Sequence, residues 1–129
     1  MMTKFSRLLL AIAFVLPMGL AAQTTPAGTW KMTIPDQDGK DVPVQVVITD
    51  SGTYAVDFGV DGKVDISGKY TIDGDKMMIQ DDAGSECTAK GVYTFKTDGK
   101  SLTMTRVSDE CEGRGGPDGV MKMDRGSKE

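Results

Sequence analysis

Few side chains in this 129-residue sequence could carry out chemistry. There is no histidine, the commonest general base and metal ligand, and the two cysteines are Cys87 and Cys111. If these two form a disulfide, no thiolate nucleophile is left. The acidic residues fall in predicted turns or on the polar faces of predicted strands, so none is singled out as a catalytic acid or base. The sequence therefore predicts a protein that is not an enzyme and uses no cofactor.

Two weak metal signals are present. Nine methionines could suggest a Cu(I) site, but three lie within the first 22 residues and the others fall on predicted strands, where they fill a core. Asp36, Asp38 and Asp41 surround Gly39 as in a calcium loop, but the liganding glutamate is missing. A backbone turn explains this spacing better. We predict no metal site.

The cysteines flank a predicted β-hairpin. Tyr93 and Phe95 alternate with polar residues before an Asp-Gly dipeptide at 98–99, and Leu102 and Met104 do so after it. A two-residue turn at this dipeptide places Tyr93 opposite Met104 and Phe95 opposite Leu102. The apolar faces of the two strands then coincide.

The same register brings Cys87 opposite Glu110, one residue short of Cys111. A single β-bulge near the open end of the hairpin closes this gap, and opposed strand residues lie at disulfide distance. We therefore predict a Cys87–Cys111 disulfide; two free thiols are the alternative.

The first 22 residues have the pattern of a signal peptide. Lys4 and Arg7 precede an uncharged apolar run at 8–16, and Gly19 and Ala21 stand at the spacing of a cleavage site. A membrane anchor, the alternative, would need about 20 apolar residues. We predict that the segment is removed and that the mature chain is periplasmic or extracellular, without a membrane attachment.

The mature chain is expected to contain a short, mobile polar lead-in (23–27), one domain (28–125) and a frayed C-terminus (126–129). Removal of the signal segment leaves thirteen basic and nineteen acidic residues, a net charge of −6. An acidic surface repels phosphate backbones and anionic lipids, so we expect neither nucleic acid nor a membrane surface as a partner.

Eight short runs of alternating polarity, separated by turns rich in Asp and Gly, cover the predicted domain, and none has a helical period. The spacing predicts an all-β fold, an eight-stranded up-and-down antiparallel β-barrel, with a two-sheet sandwich as the alternative. Besides the hairpin, the predicted strands are 29–34, 42–49, 54–60, 64–72, 76–80 and 120–125.

Gly28-Thr29-Trp30 forms a Gly-x-Trp at the start of the first predicted strand. With the Gly68-Lys69-Tyr70 strand and the acidic segment 109–114, it makes residues 28–125 resemble the short bacterial lipocalin-like (calycin-type) secreted domains. The resemblance implies a carrier for small hydrophobic molecules. The resemblance also implies that Trp30 packs at the closed end of the barrel under Arg125 of the last strand. It implies that Gly28, Trp30 and Arg125 all have a structural role.

The residues expected to face a ligand inside such a barrel are Tyr54, Phe58, Tyr70, Tyr93 and Met104. The alternative is that these side chains simply fill the core.

Arg106 continues the face of Leu102 and Met104, and its predicted neighbour Gly91 leaves space beside it. We expect Arg106 at the open mouth, where it could hold a ligand carboxylate; the alternative is an ion pair with Asp109. Arg114, in a glycine-rich loop, is expected to be solvated or paired with a neighbouring acid.

The alternative to ligand binding is inhibition of a secreted protease. Some secreted bacterial inhibitors of metalloproteases share this size, export signal and single disulfide, and they reach the protease through a segment that precedes the barrel. In this chain only residues 23–27 precede the barrel, and this segment is very short for reaching a protease. A protein partner of this kind is therefore the alternative to a small hydrophobic or amphipathic ligand, and an enzyme ranks last.

Overall fold

The computed structural model describes residues 25–116 and 118–126. The predicted signal segment and the C-terminal residues 127–129 lie outside these ranges. Eight antiparallel strands form one closed barrel in which each strand pairs with the next and the last pairs with the first, as predicted. The strands are β1 (Gly28–Pro35), β2 (Asp41–Ile48), β3 (Thr53–Phe58), β4 (Ile66–Asp73), β5 (Lys76–Asp81), β6 (Gly91–Thr97), β7 (Ser101–Asp109) and β8 (Val120–Arg125). The described residues include no helix long and apolar enough to cross a membrane.

Closure of the sheet directs every second side chain inward, and the alternating polarity of the strands follows from this geometry. The inward apolar side chains form one buried cluster that draws on seven of the eight strands. Its fully or nearly fully buried members are Trp30, Ile48, Tyr54, Met77, Ile79, Tyr93, Leu102, Met104 and Met123.

One end of the barrel, the tryptophan end, is closed by Trp30. This residue is fully buried, it pairs with Arg125 across the β1–β8 seam, and the guanidinium carbon of Arg125 lies 4.4 Å from the centre of its ring. Gly28 has a positive φ of 145°, and a Cβ atom there would come within 2.3 Å of Arg125 Nη1, so the backbone conformation and the crowding both favour glycine beside this pair.

The described part of the lead-in packs against the same end. Pro26 is buried, and its carbonyl accepts a 2.8 Å hydrogen bond from Trp30 Nε1. The segment next to β1 is therefore held on the barrel, which differs from the mobile lead-in that the sequence predicts.

The predicted register of the β6–β7 hairpin is wrong. Phe95 pairs with Met104, and Tyr93 pairs with Arg106. The cause is Asp98: its Oδ1 accepts hydrogen bonds from the backbone N–H groups of Lys100 and Ser101, both at 2.8 Å, and so stabilises a wider loop than the two-residue turn.

The predicted bulge in this hairpin is present. The register shifts between Val92 and Tyr93, so that Gly91 faces Asp109 rather than Arg106. Beyond the bulge, Cys87 and Cys111 form the predicted disulfide, with a Cα–Cα distance of 5.8 Å. The disulfide joins the loops 82–90 and 110–119, which together with the loops 36–40 and 59–65 form the second end of the barrel, called here the disulfide rim.

The strands on either side of the 59–65 loop are shorter than predicted. The carboxylate of Asp57, only 8 % exposed, accepts hydrogen bonds from the backbone N–H groups of Asp61 (3.1 Å) and Gly62 (3.0 Å). These bonds satisfy backbone donors within the loop, so the chain leaves the sheet after Phe58 and re-enters it at Ile66.

Candidate functional site

The barrel contains a cavity of about 650 Å³ that runs from the core to the disulfide rim. Its walls are apolar because they are made by the inward faces of the strands. The apolar wall residues are Met32, Ile34, Val44, Val46, Ile48, Tyr54, Val56, Phe58, Ile66, Met77, Ile79, Met104, Met121 and Met123. At the rim, the cavity is bordered by both half-cystines and by the exposed carboxylates of Asp65, Glu86 and Glu112.

Three of the predicted ligand-facing residues, Tyr54, Phe58 and Met104, line this cavity. Tyr70 and Tyr93 lie outside its walls. The hydroxyl of Tyr70 donates a hydrogen bond to the carbonyl of Thr49, and Tyr93 is fully buried beneath the 110–119 loop. Contact of the three wall residues with a ligand stays a prediction.

Arg106 also lies outside the cavity walls, although it follows the inward face of β7. Its Nη2 donates 2.9 Å hydrogen bonds to the carbonyls of Arg114 and Gly116, so its guanidinium holds the 110–119 loop over the barrel. The ion pair with Asp109, which was the alternative, is made by Arg114 instead. Arg106 is therefore placed to position this loop, and its contact with a ligand stays a prediction.

A group of hydrogen-bonded polar side chains lies between the cavity and this loop. We call it the polar cluster; its members are Tyr54, Asp81, Tyr93, Asp109 and Arg114. Arg114, with 14 % of its side chain exposed, donates two hydrogen bonds to Asp109, from Nε at 2.7 Å and from Nη2 at 2.8 Å. This is the bidentate geometry that gives guanidinium–carboxylate pairs their strength.

Each carboxylate of the polar cluster also accepts a phenol hydrogen bond. Tyr54 donates to Asp81 Oδ1, and the hydroxyl of Tyr93 lies 2.5 Å from Asp109 Oδ2 and 2.9 Å from the carbonyl of Arg114. Two tyrosine–aspartate pairs therefore meet at one guanidinium. Asp109 and Tyr93 are sealed beneath the loop, whereas Asp81 and Tyr54 line the cavity.

Asp81 is the less completely neutralised of the two carboxylates. It is 8 % exposed, and its Oδ2 accepts a 3.1 Å hydrogen bond from Ser85 Oγ. Arg114 Nη1 lies 3.6 Å from the same oxygen, too far for a hydrogen bond, and is itself a buried nitrogen without a hydrogen-bond partner.

Glycines make room for the polar cluster. Tyr54, Gly68 and Asp81 are neighbours on three adjacent strands, and the phenol of Tyr54 crosses Gly68 to reach the carboxylate. A Cβ atom at Gly68 would come within 2.3 Å of the Tyr54 ring and 2.4 Å of the carbonyl of Gln80.

The substitution Gly68→Ala is therefore expected to destabilise the fold by about 2 kcal/mol, since the methyl group overpacks a closed site. Chemical denaturation measures the loss, and Ser67→Ala on the outward face is the matched control. Combining Gly68→Ala with Tyr54→Leu should cost less than the sum of the two single changes, because the leucine removes the clash with the phenol ring and leaves only that with the carbonyl of Gln80. Strict additivity would contradict this explanation.

The ionisation of the polar cluster follows from its burial and its hydrogen bonds. Burial, reinforced by the hydrogen bond to Asp81, raises the pKa of Tyr54 far above its usual value. Burial and then the hydrogen bond to Asp109 raise the pKa of Tyr93. Burial alone would raise the pKa of Asp109, but the hydrogen bonds from Arg114 and Tyr93 outweigh it and lower this pKa.

Alkaline pH should therefore destabilise the protein. The chain has three tyrosines, and the pKa of Tyr70 is also raised, by burial and then by Asp50. A raised pKa contributes stability that is fully present below the unfolded value of 10.0 and is lost as the pH rises above it. In a phenolate absorbance titration, all three tyrosines should ionise near pH 10 in denaturant and at higher pH in the folded protein, with Tyr54 the last to ionise. Ionisation of the folded protein at the denatured pH would contradict the buried phenol–carboxylate pairs.

Asp81 was not predicted as a site residue. Arg114 pairs with a neighbouring acid, Asp109, which was one of its two predicted alternatives, but its approach to Asp81 was not predicted. Asp81 had a signal, because it continues the inward alternation of Met77 and Ile79 to the end of β5. Arg114 had none in its local pattern, since a glycine-rich loop does not show where its side chains point.

One further carboxylate group could hold a cation. Oxygens of Asp57, Asp61 and Asp65 lie within 4.8 Å of one another in and beside the 59–65 loop. All three already accept hydrogen bonds from backbone N–H groups of this loop and the adjoining end of β3, which accounts for their positions. The Asp36 turn behaves in the same way: Asp36 Oδ1 accepts from the N–H groups of Asp38 and Lys40.

Comparison of the chain with protein-family models, with curated proteins and with solved structures found no match.

Proposed function

We propose that this protein is an exported, noncatalytic, lipocalin-like binding protein that holds a small hydrophobic or amphipathic molecule inside its barrel. The observation that carries the proposal is the apolar cavity of about 650 Å³. Sites for small molecules occupy roughly 300–1,000 Å³ and combine apolar walls with a few polar groups, which is the composition of this cavity.

The wall chemistry supports a soft, adaptable site. Five methionines, Met32, Met77, Met104, Met121 and Met123, contribute to the walls. Methionine is unbranched and polarisable, so it can repack around ligands of different shape. Such a wall favours recognition by apolar contact over recognition by many directed hydrogen bonds.

The exposed side chains at the disulfide rim support the proposal that a ligand enters the cavity from this end. Phe58, Val60 and Val64 are exposed apolar side chains on or beside the 59–65 loop, next to the cavity opening. Exposed apolar side chains grouped at an opening are typical of a place where a ligand or partner is met.

Two features support the lipocalin-like and exported parts of the proposal. The barrel has eight strands in up-and-down order, and Gly28, Trp30 and Arg125 meet at its closed end as the resemblance implies. A disulfide in a domain of this size is typical of an oxidising compartment, in agreement with the predicted signal segment.

Displacement of a neutral fluorescent probe such as N-phenylnaphthylamine tests the proposal. The wild-type protein should bind the probe, and Val46→Trp, which places an indole in the cavity, should weaken binding by about tenfold or more through exclusion. Thr105→Trp, on the exposed outer face of β7, is the matched control and should leave binding unchanged. Equal binding by all three proteins would place the probe outside the barrel and refute the proposal.

A further inference from the structure

Negatively charged side chains outnumber positively charged ones around the cavity. Four carboxylates border it, Asp65, Asp81, Glu86 and Glu112, against the single guanidinium of Arg114. Among the described residues, no lysine lines the cavity. The cavity opening therefore has an excess of negative charge, in keeping with the acidic balance of the whole chain.

The one cation is not available to a ligand anion. Arg114 is engaged with Asp109 through two hydrogen bonds and with the carbonyl of Ala89 through a third at 2.6 Å. Its remaining nitrogen, Nη1, is buried and faces Asp81. A ligand carboxylate would meet acidic side chains before it reached this guanidinium, and the like-charge contact would disfavour it.

The carboxylate of Asp81, in contrast, can accept further hydrogen bonds. An ionised carboxylate can accept about four hydrogen bonds, and Asp81 accepts one from Tyr54 and one from Ser85. It lies in the cavity wall, at the rim end of the inward face of β5. A ligand amine placed here would add a charge-assisted hydrogen bond that the protein itself does not supply.

From these observations we infer that the cavity selects cationic amphiphiles, with Asp81 as the anchor for an ammonium group and the apolar walls around the tail. This inference rests on the proposed carrier function and adds the ligand class to it. The exposed carboxylates of Glu86 and Glu112 attract the cation to the opening, and Asp81 holds it inside. The tail then extends along the methionine-rich walls toward the tryptophan end.

The test compares three ligands with one tail in the probe-displacement assay: dodecylammonium and dodecanoate, each kept below its critical micelle concentration, and dodecanol, kept below its solubility limit. Dodecylammonium should bind at least about tenfold more tightly than dodecanoate, the size of effect expected for one charge-assisted hydrogen bond. Equal binding, or a preference for dodecanoate, would overturn the inference. Binding of dodecanol without an advantage for dodecylammonium would overturn the ligand class alone, whereas failure of all three would overturn the carrier function as well.

The substitution Asp81→Asn removes the charge and keeps an oxygen for the Tyr54 hydrogen bond. It should weaken dodecylammonium binding by about tenfold and leave dodecanol binding unchanged. Asp82→Asn is the matched control, because Asp82 is the next residue, is exposed and bonds outward to Ser67 Oγ. An equal effect of the two substitutions would contradict an anchor at Asp81.

A double variant at exposed positions, Glu86→Gln with Glu112→Gln, keeps the test decisive if Asp81→Asn does not fold. It should reduce the preference for dodecylammonium by about threefold, an effect that added salt diminishes. An unchanged preference in low salt would overturn the proposed role of the acidic opening.

Discussion

Replacing Arg114 with methionine is expected to lower the free energy of unfolding by about 3 kcal/mol. The physical reason is that methionine keeps much of the side-chain volume but leaves two carboxylates, Asp81 and Asp109, without their shared cation. The side chain of Asp109 is fully buried, so water cannot solvate its charge unless the 110–119 loop opens. Urea denaturation of the two proteins measures the difference.

The control for Arg114→Met is Lys122→Met, which removes a positive charge from an exposed position on β8 and should change the stability by less than about 0.5 kcal/mol. A second substitution, Asp109→Asn in the Arg114→Met protein, should restore part of the loss because it removes one of the stranded charges. If Arg114→Met costs no more than the Lys122 control, the polar cluster does not stabilise the rim.

The same pairing predicts how acid should act. Hydrogen bonds from Arg114 and Tyr93 hold the pKa of Asp109 below its usual 3.8, so its contribution to stability is present above that value and is lost as the pH falls through the folded pKa. The difference between the wild-type and Arg114→Met proteins should therefore shrink at pH values below the folded pKa.

Removing the disulfide should produce an effect of similar size. The two cysteines are separated by 24 positions in the chain, and the chain-entropy relation gives a cross-link over such a loop about 3–4 kcal/mol of stability. Replacing Cys87 and Cys111 together with alanine should lower the free energy of unfolding by this amount, measured by chemical denaturation without reductant.

Reductant supplies the control for the disulfide prediction. It should destabilise the wild-type protein to about the level of the Cys87→Ala, Cys111→Ala protein and leave that protein unchanged. Because both half-cystines border the cavity, loss of the disulfide should also weaken probe binding at temperatures where the barrel still folds. Equal stability of the oxidised wild-type and double-alanine proteins would show that the 82–90 and 110–119 loops are held by other contacts.

The strand pattern was predictable because it depends on local rules. Inward residues recur at every second position, and the Asp-rich turns separate the runs, so the number of strands, their order and the closure of the barrel follow from the sequence. The Cys87–Cys111 disulfide was also predicted, but the predicted register does not explain it. Beyond the bulge Gly91 pairs with Asp109, and the two cysteines meet in the loops past the end of this ladder.

The predicted register and strand ends were wrong where an aspartate side chain forms hydrogen bonds with backbone N–H groups in place of the sheet. Asp98 widens the hairpin loop and shifts the β6–β7 register, and Asp57 draws the 59–65 loop out of the sheet. Both effects need the position of a carboxylate relative to several N–H groups, which composition and alternation do not give.

The candidate site was only partly predictable for a similar reason. Tyr54, Phe58 and Met104 follow from alternation along their strands. The polar cluster depends on a long-range contact, because Arg114 comes from a loop and reaches Asp81 and Asp109 on two different strands. The alternation along β7 predicted Arg106 as an inward cation at the mouth of the barrel. In the structure Arg106 bonds to the carbonyl of Arg114 and so holds the loop that positions Arg114.

The central claim is that a small molecule occupies the interior of the barrel, and methyl NMR of methionine-labelled protein tests it most directly. Five methionines line the cavity, and Met78 on the outward face of β5 is a built-in control. On titration with dodecanol, the methyl resonances of Met32, Met77, Met104, Met121 and Met123 should shift together in a saturable manner while that of Met78 stays in place. Unchanged interior resonances, or shifts confined to Met78, would contradict the claim.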